Sequence, residues 1–239
     1  MFAGPNGSGK SVLKAYLPEP LLGVYLNADE IEKGVRELGY VDIQCLGIET
    51  MAAEVLPVFT SSGFLATHGL AEAASRLSFA DGRLCFPTGV INSYFASVAA
   101  DFMRQKLLAA RRTFTFETVM SHPSKVELLT QAQAAGYRTY LYYVATDDPA
   151  INISRVENRV KLKGHHVPPD LVEKRYYRSL DLLISAIRHS NRAYIFDNST
   201  DNADRTHTWL AEITEGRTLE LKTDQIPAWF KRAVLDKIA

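Results

Sequence analysis

The chain opens with a glycine-rich segment that constrains the fold more than any other stretch. Residues 4–11 read Gly-Pro-Asn-Gly-Ser-Gly-Lys-Ser and fit the phosphate-binding pattern G-x-x-x-x-G-K-[ST]. Such a loop wraps backbone N–H groups around the β-phosphate of a nucleotide, and glycines permit the positive φ angles that this curl needs. The pattern predicts nucleotide binding by Gly4, Pro5, Asn6, Gly7, Ser8, Gly9, Lys10 and Ser11.

Two side chains of this phosphate loop (residues 4–11) have separate predicted roles. Lys10 would place a positive charge between the β- and γ-phosphates, and the hydroxyl of Ser11 would bind Mg²⁺. A helix over residues 12–17 would add its positive N-terminal end. The alternative is a glycine-rich turn that binds nothing, and the apolar strand before the loop and the helix after it disfavour this alternative.

The predicted strand before the loop, Met1-Phe2-Ala3, is shorter than the usual strand of about five residues. A misassigned start codon, a clipped sequence and a short central strand are the three explanations. The loop itself is intact in each case.

Composition excludes several classes of protein. The 27 Lys and Arg residues balance the 27 Asp and Glu residues, which disfavours a general nucleic-acid-binding protein. Cys45 and Cys85 are far apart and form no C-x-x-C pattern, so neither a disulfide framework nor a zinc site is indicated. No leader and no apolar run of about 18 residues is present, and we expect a cytoplasmic protein without a membrane segment.

Predicted strands alternate with helices along the chain, which is typical of a parallel sheet with helices on both faces. The strands are expected at residues 1–3, 21–26, 113–116, 137–145 and 193–196. We predict a three-layer α/β sandwich of the P-loop NTPase and kinase type, with strand order 2-3-1-4-5. One domain would cover residues 1–239. Its additions would be an insertion at about 41–92, a helical lid at about 155–178, and a C-terminal hairpin and helix at about 206–239.

Carboxylates follow two of the predicted strands, at the sheet edge where α/β proteins bind ligands. Asp29 is the candidate general base that takes a proton from an acceptor hydroxyl. Its structural alternative is a capping box formed with Glu32. Glu117 has three alternatives: holding a substrate hydroxyl, binding Mg²⁺ through water, or accepting from backbone amides.

The segment from Arg155 to Arg192 is rich in basic residues. Such a run is usually a solvated helix face, yet two helices joined by a basic loop also form a lid over a transferring phosphoryl group. Because the chain already has a phosphate loop, we favour the interpretation of this segment as a lid. His165 and His166 lack the partner spacing of metal ligands and are interpreted as loop residues.

Taken together, these segments resemble the zeta toxin family of P-loop kinases. The matching segments are Phe2–Ser11, Asn27–Ile31, Phe114–Thr118, Arg155–Glu157, Gly164–Pro168 and Asp197–Ser199. The better-known members of that family are toxins that phosphorylate a hydroxyl of UDP-N-acetylglucosamine with ATP or GTP, and a small antitoxin protein blocks them.

The resemblance implies a role for each matching position. Lys10 and Ser11 would bind phosphate and Mg²⁺, and Asp29 would be the base. Asn27, Asp29, Glu117 and Thr118 would contact the substrate, whereas Asp197 and Asn198 would lie near the nucleotide base. Arg155 would face phosphate, with a second arginine from the lid, either Arg159 or Arg175.

The sequence also departs from the toxin pattern. The 41–92 segment is longer than in compact relatives and would lie near the substrate, and Val119-Met120 replaces a Gly-rich, Arg-containing stretch. These departures leave several acceptors open: a sugar nucleotide, another sugar, a nucleoside, or a nucleic-acid 5′-hydroxyl. The rival from another class is a nucleotide-binding switch that hydrolyses ATP slowly and has no small-molecule acceptor.

Overall fold

The computed structural model describes residues 1–161, 167–200 and 207–238. The strands are β1 (Phe2–Ala3), β2 (Val24–Leu26), β3 (Tyr40–Asp42), β4 (Ser78–Ala80), β5 (Arg83–Cys85), β6 (Phe114–Thr118), β7 (Tyr140–Ala145), β8 (Arg192–Asp197), β9 (Thr208–Thr214) and β10 (Thr218–Leu221). The helices are α1 (Lys10–Leu13), α2 (Glu19–Leu22), α3 (Ala28–Leu38), α4 (Ala52–Thr60), α5 (Gly63–Thr67), α6 (Ala71–Ser75), α7 (Ser93–Ala109), α8 (Ser124–Ala134), α9 (Pro149–Lys161), α10 (Pro169–Arg188), α11 (Ala228–Phe230) and α12 (Asp236–Ile238). Short 3₁₀ segments follow α1 and β3, and a π-helical turn, Lys231–Leu235, joins α11 to α12.

The chain divides into two compact units. One contains Met1–Pro18 and Glu117–Ala239, and the other contains Glu19–Phe116. The prediction of one domain with a substrate-side insertion stays a prediction. Each unit is therefore described by itself.

The first unit is built on a sheet centred on β1. β1 pairs in parallel with β7, and β7 pairs in parallel with β8. Pairing with β7 begins at Met1, whose nitrogen donates to the carbonyl of Tyr140 at 2.7 Å and whose carbonyl accepts from the N–H of Tyr142 at 2.9 Å. The short strand is thus fixed on a long neighbour, and the chain enters the phosphate loop directly from the middle of the sheet.

Strand β6 belongs to both units. Its residues Glu117 and Thr118 pair in parallel with β1, and its residues 114–116 pair in parallel with β2. The parallel strands consequently follow the order β2, β6, β1, β7, β8. The predicted order 2-3-1-4-5 and the predicted α/β fold are confirmed.

The predicted C-terminal hairpin is also confirmed, and it extends the main sheet. β9 pairs antiparallel with β8, and β10 pairs antiparallel with β9. The hairpin turn contains Glu215 and Gly216, both with positive φ angles. Residues 206 and 239 of the predicted C-terminal segment lie outside the described residues.

Helix α10 supplies much of the core of the first unit. Its Tyr176 and Ser179 are fully buried, and Ser179 shares a 3.0 Å hydrogen bond with the hydroxyl of Tyr143 on β7. Trp229 of α11 is also fully buried, and its ring lies 6.2 Å from that of Tyr143. Apolar burial on this scale is the main stabilising term in folding, so the C-terminal helix is part of the core.

The predicted lid corresponds to the second half of α9 and the first half of α10. Both helices contribute to one buried cluster, in which Val156 packs with Val167 and Val172. The basic loop between the helices, including Lys163, His165 and His166, lies outside the described residues.

The second unit contains β2, α3, α7 and a small antiparallel sheet in the order β3-β5-β4. Strands β4 and β5 of this small sheet form an antiparallel hairpin. Helix α7 has an apolar face, since Phe95, Phe102 and Leu107 are buried.

The strand predicted at residues 137–145 begins only at Tyr140, and the strand predicted at residues 21–26 was partly wrong. Residues 21–26 were expected to be extended throughout, whereas Leu21 and Leu22 belong to helix α2 and only Val24–Leu26 form β2. Pro20 suits the first turn of a helix, and Gly23 ends it with φ 58°. A Cβ at Gly23 would collide with the carbonyl of Thr113, so only glycine fits this junction.

No helix within the described ranges is both long and apolar enough to cross a membrane.

Candidate active site

The phosphate loop has the curled backbone that its sequence predicts. Gly4, Gly7 and Gly9 have φ angles of 143°, 72° and 97°, which L side chains rarely adopt. Space is restricted as well. A Cβ at Gly7 would lie 2.6 Å from the carbonyl oxygen of Asn152, and one at Gly4 would collide with the carbonyl of Val144. These positions therefore require glycine for both conformation and packing.

Lys10 lies in the first turn of α1, and its ammonium is bound to the loop itself. The Nζ atom donates to the carbonyls of Gly4 and Pro5, each at 2.8 Å. The side chain is thus folded back over the loop that it is predicted to serve. The hydroxyl-bearing Ser11 follows it and is exposed.

Two buried polar atoms in the loop lack hydrogen-bond partners among the described residues. They are Oδ1 of Asn6 and Oγ of Ser8, and Ser8 is fully buried. Leaving such atoms unpaired costs about 1–3 kcal/mol each, and exceptions of this kind are frequently found at functional sites. The Ser8 hydroxyl can donate to an acceptor such as a phosphate oxygen, whereas Oδ1 of Asn6 can only accept a hydrogen bond. The Ser8 hydroxyl therefore fits a ligand such as a polyphosphate.

Two asparagines that sequence reasoning did not connect with the loop's conformation hold it from outside. Asn152 of α9 is fully buried, and its Nδ2 donates to the carbonyl of Asn6 at 2.6 Å. Asn198 follows β8, and its Nδ2 donates to the carbonyl of Ser8 at 2.8 Å. A signal existed for Asn152, because it shares the apolar face of α9 with Val156 four residues later.

The predicted arginines occupy different surroundings. The guanidinium of Arg155 donates to the carbonyls of Asn198 at 2.8 Å and Thr200 at 3.2 Å. Arg159 is exposed on α9, and Arg175 is partly buried on α10. Arg155 thus binds the turn that carries Asn198, and a catalytic role for any of the three arginines stays a prediction.

Asp197, the last residue of β8, uses both carboxylate oxygens within the protein. Oδ1 accepts from the indole of Trp229 and from the hydroxyl of Ser199, each at 2.7 Å, and Oδ2 accepts from the N–H of Ser199 at 2.9 Å. Contact of Asp197 and Asn198 with a nucleotide stays a prediction. What the structure adds is that the Asn198 side chain touches the phosphate loop.

Glu117 and Thr118 end β6 directly beside β1. Their pairing partners are Phe2 and Ala3, the last two residues before the phosphate loop. The hydroxyl of Thr118 accepts from the N–H of Met120 at 3.0 Å, and Met120 has a positive φ of 53°. Strained backbone of this kind often marks functional sites, and substrate contact by Glu117 and Thr118 stays a prediction.

In the second unit, Asn27 and Asp29 lie at the start of α3. Asn27 is the N-cap, since its side chain accepts from the N–H of Asp29 at 2.9 Å. The capping box considered for Asp29 and Glu32 is therefore wrong, because Glu32 pairs with Arg36 at 2.6 Å. The carboxylate of Asp29 is exposed and has no hydrogen bond or ion pair to any described residue.

Among the residues that the structure describes, no three His, Cys, Asp or Glu side chains are grouped to hold a metal ion. Mg²⁺ at a nucleotide site needs no such cage, because it keeps several waters and is bound by one or two protein groups and the phosphates. Ser11 remains the predicted protein ligand, and contact through water remains one of the three alternatives for Glu117.

A model of the Zeta toxin family matches residues 89–212, which is more than half of the chain. The chain belongs to the Zeta toxin family. The matched region includes β6, α9, α10, Arg155 and Asn198, and this membership supports a P-loop kinase-like phosphotransferase.

A solved structure supports the fold of this Zeta toxin family protein. It is the crystal structure of AvrRxo1-ORF1 with AvrRxo1-ORF2 and sulphate ions, and the superposition has a TM-score of 0.51 at 14% sequence identity. The match covers 92% of this chain and 60% of that chain. At this identity the likeness concerns the fold.

A curated relative is an uncharacterized protein of Haemophilus influenzae, 32% identical over 63 residues. That match covers 26% of this chain and 45% of the relative, so the chain matches less than half of the relative's length.

Proposed function

We propose that this protein is a kinase that transfers the γ-phosphoryl group of ATP or GTP to a hydroxyl of a small molecule. The observation that carries the proposal is the curled phosphate loop. Three glycines have positive φ, Lys10 lies over the loop, and the buried Ser8 hydroxyl has no hydrogen-bond partner within the described ranges. This arrangement suits the phosphates of a nucleotide.

Within the loop, each residue has a distinct task. Lys10 exchanges its bonds to the carbonyls of Gly4 and Pro5 for phosphate oxygens, and keeps its charge beside the developing negative charge. Ser11 and, through water, Glu117 would hold Mg²⁺. The ion would supply charge neutralisation between the phosphates when bound.

Asp29 is the proposed general base. Its carboxylate is exposed and is not used for helix capping or for an ion pair within the described residues. A carboxylate without internal partners is available to accept a proton from the acceptor hydroxyl. Asn27 orients the start of α3 through its capping bond, and so keeps Asp29 in the first turn.

The lid arginines are proposed to act on the transferring phosphoryl group. Since Arg155 already binds two carbonyls of the 198–200 turn, we assign the phosphate contact to Arg159 or Arg175 and a positioning role to Arg155. We assign to Asn198 the role of binding the phosphate loop through the Ser8 carbonyl. We assign to Asp197 the role of anchoring α11 through Trp229.

The acceptor is proposed to be a sugar nucleotide, UDP-N-acetylglucosamine first, on the strength of family membership. The balanced charge of the chain disfavours a nucleic acid. We also propose a cytoplasmic location and inhibition by an antitoxin protein. The latter is supported by the fold neighbour, which was solved together with a second protein, AvrRxo1-ORF2.

The deciding experiment is a transfer assay with γ-labelled ATP, Mg²⁺ and a panel of sugar nucleotides. We expect label on an acceptor with the wild-type protein, and none with Lys10→Ala or Asp29→Asn. Glu30→Gln is the matched control, because Glu30 is an exposed carboxylate in the same helical turn. Asp29→Asn should still bind ATP, whereas Lys10→Ala should bind it weakly.

If the label appears only as free phosphate, and Asp29→Asn is as active as the wild type, the kinase proposal is refuted. The result would then indicate a nucleotide-hydrolysing switch.

A further inference from the structure

The two asparagines beside the phosphate loop lie in the right places to set the direction of individual peptide groups. Asn152 binds the carbonyl of Asn6, and Asn198 binds the carbonyl of Ser8. Each carbonyl belongs to the peptide whose N–H comes from the following glycine. In a planar trans peptide, the C=O and N–H bonds point in opposite directions. A carbonyl held by one of these asparagines therefore points the N–H of Gly7, or of Gly9, away from that asparagine.

Neither glycine N–H has an acceptor among the described residues. In a loop of this type, a phosphate would accept hydrogen bonds from these N–H groups. Without an external hold, a glycine peptide could rotate, because glycine populates positive and negative φ about equally.

We propose that Asn152 and Asn198 are positioning residues, each of which fixes one phosphate-binding amide: Asn152 fixes Gly7, and Asn198 fixes Gly9. The inference rests on the proposed binding of phosphate at this loop. Asn152 and Asn198 need not touch the nucleotide.

The carboxamide of Asn152 and the backbone of Asn198 are themselves held by hydrogen bonds. Oδ1 of Asn152 accepts from the hydroxyl of Thr146, so Nδ2 is the atom that faces the loop. The backbone of Asn198 donates to the carbonyl of Ala145 at 2.9 Å and accepts from Arg155. Burial of both side chains excludes water that could replace these bonds. The amide directions are thereby preset before any ligand arrives.

The test substitutes each asparagine by its isosteric acid, which keeps the shape and removes the donor. Inorganic tripolyphosphate is the probe, since it reports on the loop without a nucleoside or an acceptor. We expect Asn152→Asp and Asn198→Asp to bind it about tenfold more weakly or worse. Asn158→Asp is the matched control, because it makes the same change at an exposed position of α9 and should bind as the wild type does.

A second readout separates amide orientation from general loosening of the fold. With ¹⁵N-glycine labelling, tripolyphosphate should shift the Gly7 and Gly9 amide resonances of the wild-type protein. Asn152→Asp should reduce the Gly7 shift more than the Gly9 shift, and Asn198→Asp should do the reverse. If Asn152→Asp or Asn198→Asp fails to fold, Asn198→Ala provides a further variant.

Equal affinity in folded variants, or equal loss of both glycine shifts in each variant, would overturn the inference. So would a wild-type protein that does not bind tripolyphosphate. A wild-type protein that binds tripolyphosphate with the expected glycine pattern but phosphorylates no acceptor would leave the inference standing and refute the proposed kinase.

Discussion

The indole N–H of Trp229 donates a 2.7 Å hydrogen bond to Oδ1 of Asp197, and both residues are buried. The bond ties the C-terminal helix to the end of β8, one residue before Asn198. It replaces water that the Asp197 carboxylate would otherwise bind. The C-terminal segment is thus connected to the phosphate loop through two neighbouring residues.

Removal of this bond should destabilise the protein. Trp229→Phe keeps an aromatic ring but removes the donor and leaves a cavity, so we expect a loss of about 2–4 kcal/mol in the free energy of unfolding, measured by urea denaturation. Trp209→Phe is the control, because Trp209 is 39% exposed. A control that costs as much as Trp229→Phe would show that the Asp197 bond contributes little.

Gly7 should not tolerate a side chain. Gly7→Ala places a Cβ 2.6 Å from the Asn152 carbonyl oxygen in a left-handed backbone, and we expect loss of ATP binding in a calorimetric titration. Gly34→Ala makes the same change inside α3, where a Cβ meets nothing within 4 Å. That variant should gain about 0.5–1 kcal/mol of stability. Normal ATP affinity in Gly7→Ala would contradict the geometry of the loop.

Arg155 should act through Asn198. If Arg155 positions the 198–200 turn, Arg155→Ala and Asn198→Ala remove parts of one network, and their effects on ATP affinity should not add. We expect a coupling of about 0.5–3 kcal/mol in a double-mutant cycle. Arg217→Ala, on the exposed hairpin turn, should combine additively with Asn198→Ala. Full additivity of Arg155→Ala, with a loss in kcat alone, would instead place Arg155 on the phosphoryl group.

Tyr143 should make the fold sensitive to alkali. Burial raises the pKa of this tyrosine above its ordinary value of about 10, and Ser179 opposes the shift only in part. Above pH 10 the unfolded chain loses the phenolic proton while the folded protein keeps it, so stability falls as pH rises. The contribution of protonated Tyr143 to the free energy of unfolding is complete below pH 10. Above pH 10 it falls by about 1.4 kcal/mol per pH unit.

Urea denaturation of the wild-type protein and Tyr143→Phe at pH 8 and pH 11 measures this effect. Tyr143→Phe should lose less stability than the wild type between the two pH values. Tyr177→Phe, which changes a tyrosine 52% exposed, should behave as the wild type does. Equal losses in wild type and Tyr143→Phe would assign the alkaline sensitivity to other groups, such as Tyr142, whose pKa burial raises to about 12.

The sequence was sufficient for the parts of the fold that depend on local pattern. The glycines of the phosphate loop and the alternation of strands and helices predicted the sheet order, because connection rules leave few topologies for such a pattern. The secondary structure around Leu21 and Leu22 was harder to predict, since an apolar run fits a buried strand as well as a helix. There, the neighbouring Pro20 and Gly23 decided the outcome.

The supports of the candidate site could not be predicted in the same way. Asn152 and Asn198 bind loop carbonyls 146 and 190 residues away in sequence, and no local pattern reports such a pairing. The sequence suggested Asp29 as a capping residue, whereas Asn27, a residue type equally favoured there, caps α3. The structure leaves the Asp29 carboxylate without a hydrogen bond or ion pair to any described residue.

The C-terminal hairpin also determines which strand forms this edge of the main sheet. Without the hairpin, β8 would be an edge strand with six residues and a largely apolar sequence, which is a template for pairing with another chain. The hairpin covers β8 and moves the edge outward to β10, a strand of four residues. There Glu220 pairs with Lys222 at 2.5 Å, and Lys222 also lies over the Trp209 ring. A short edge flanked by charges is a poor template for pairing with another chain.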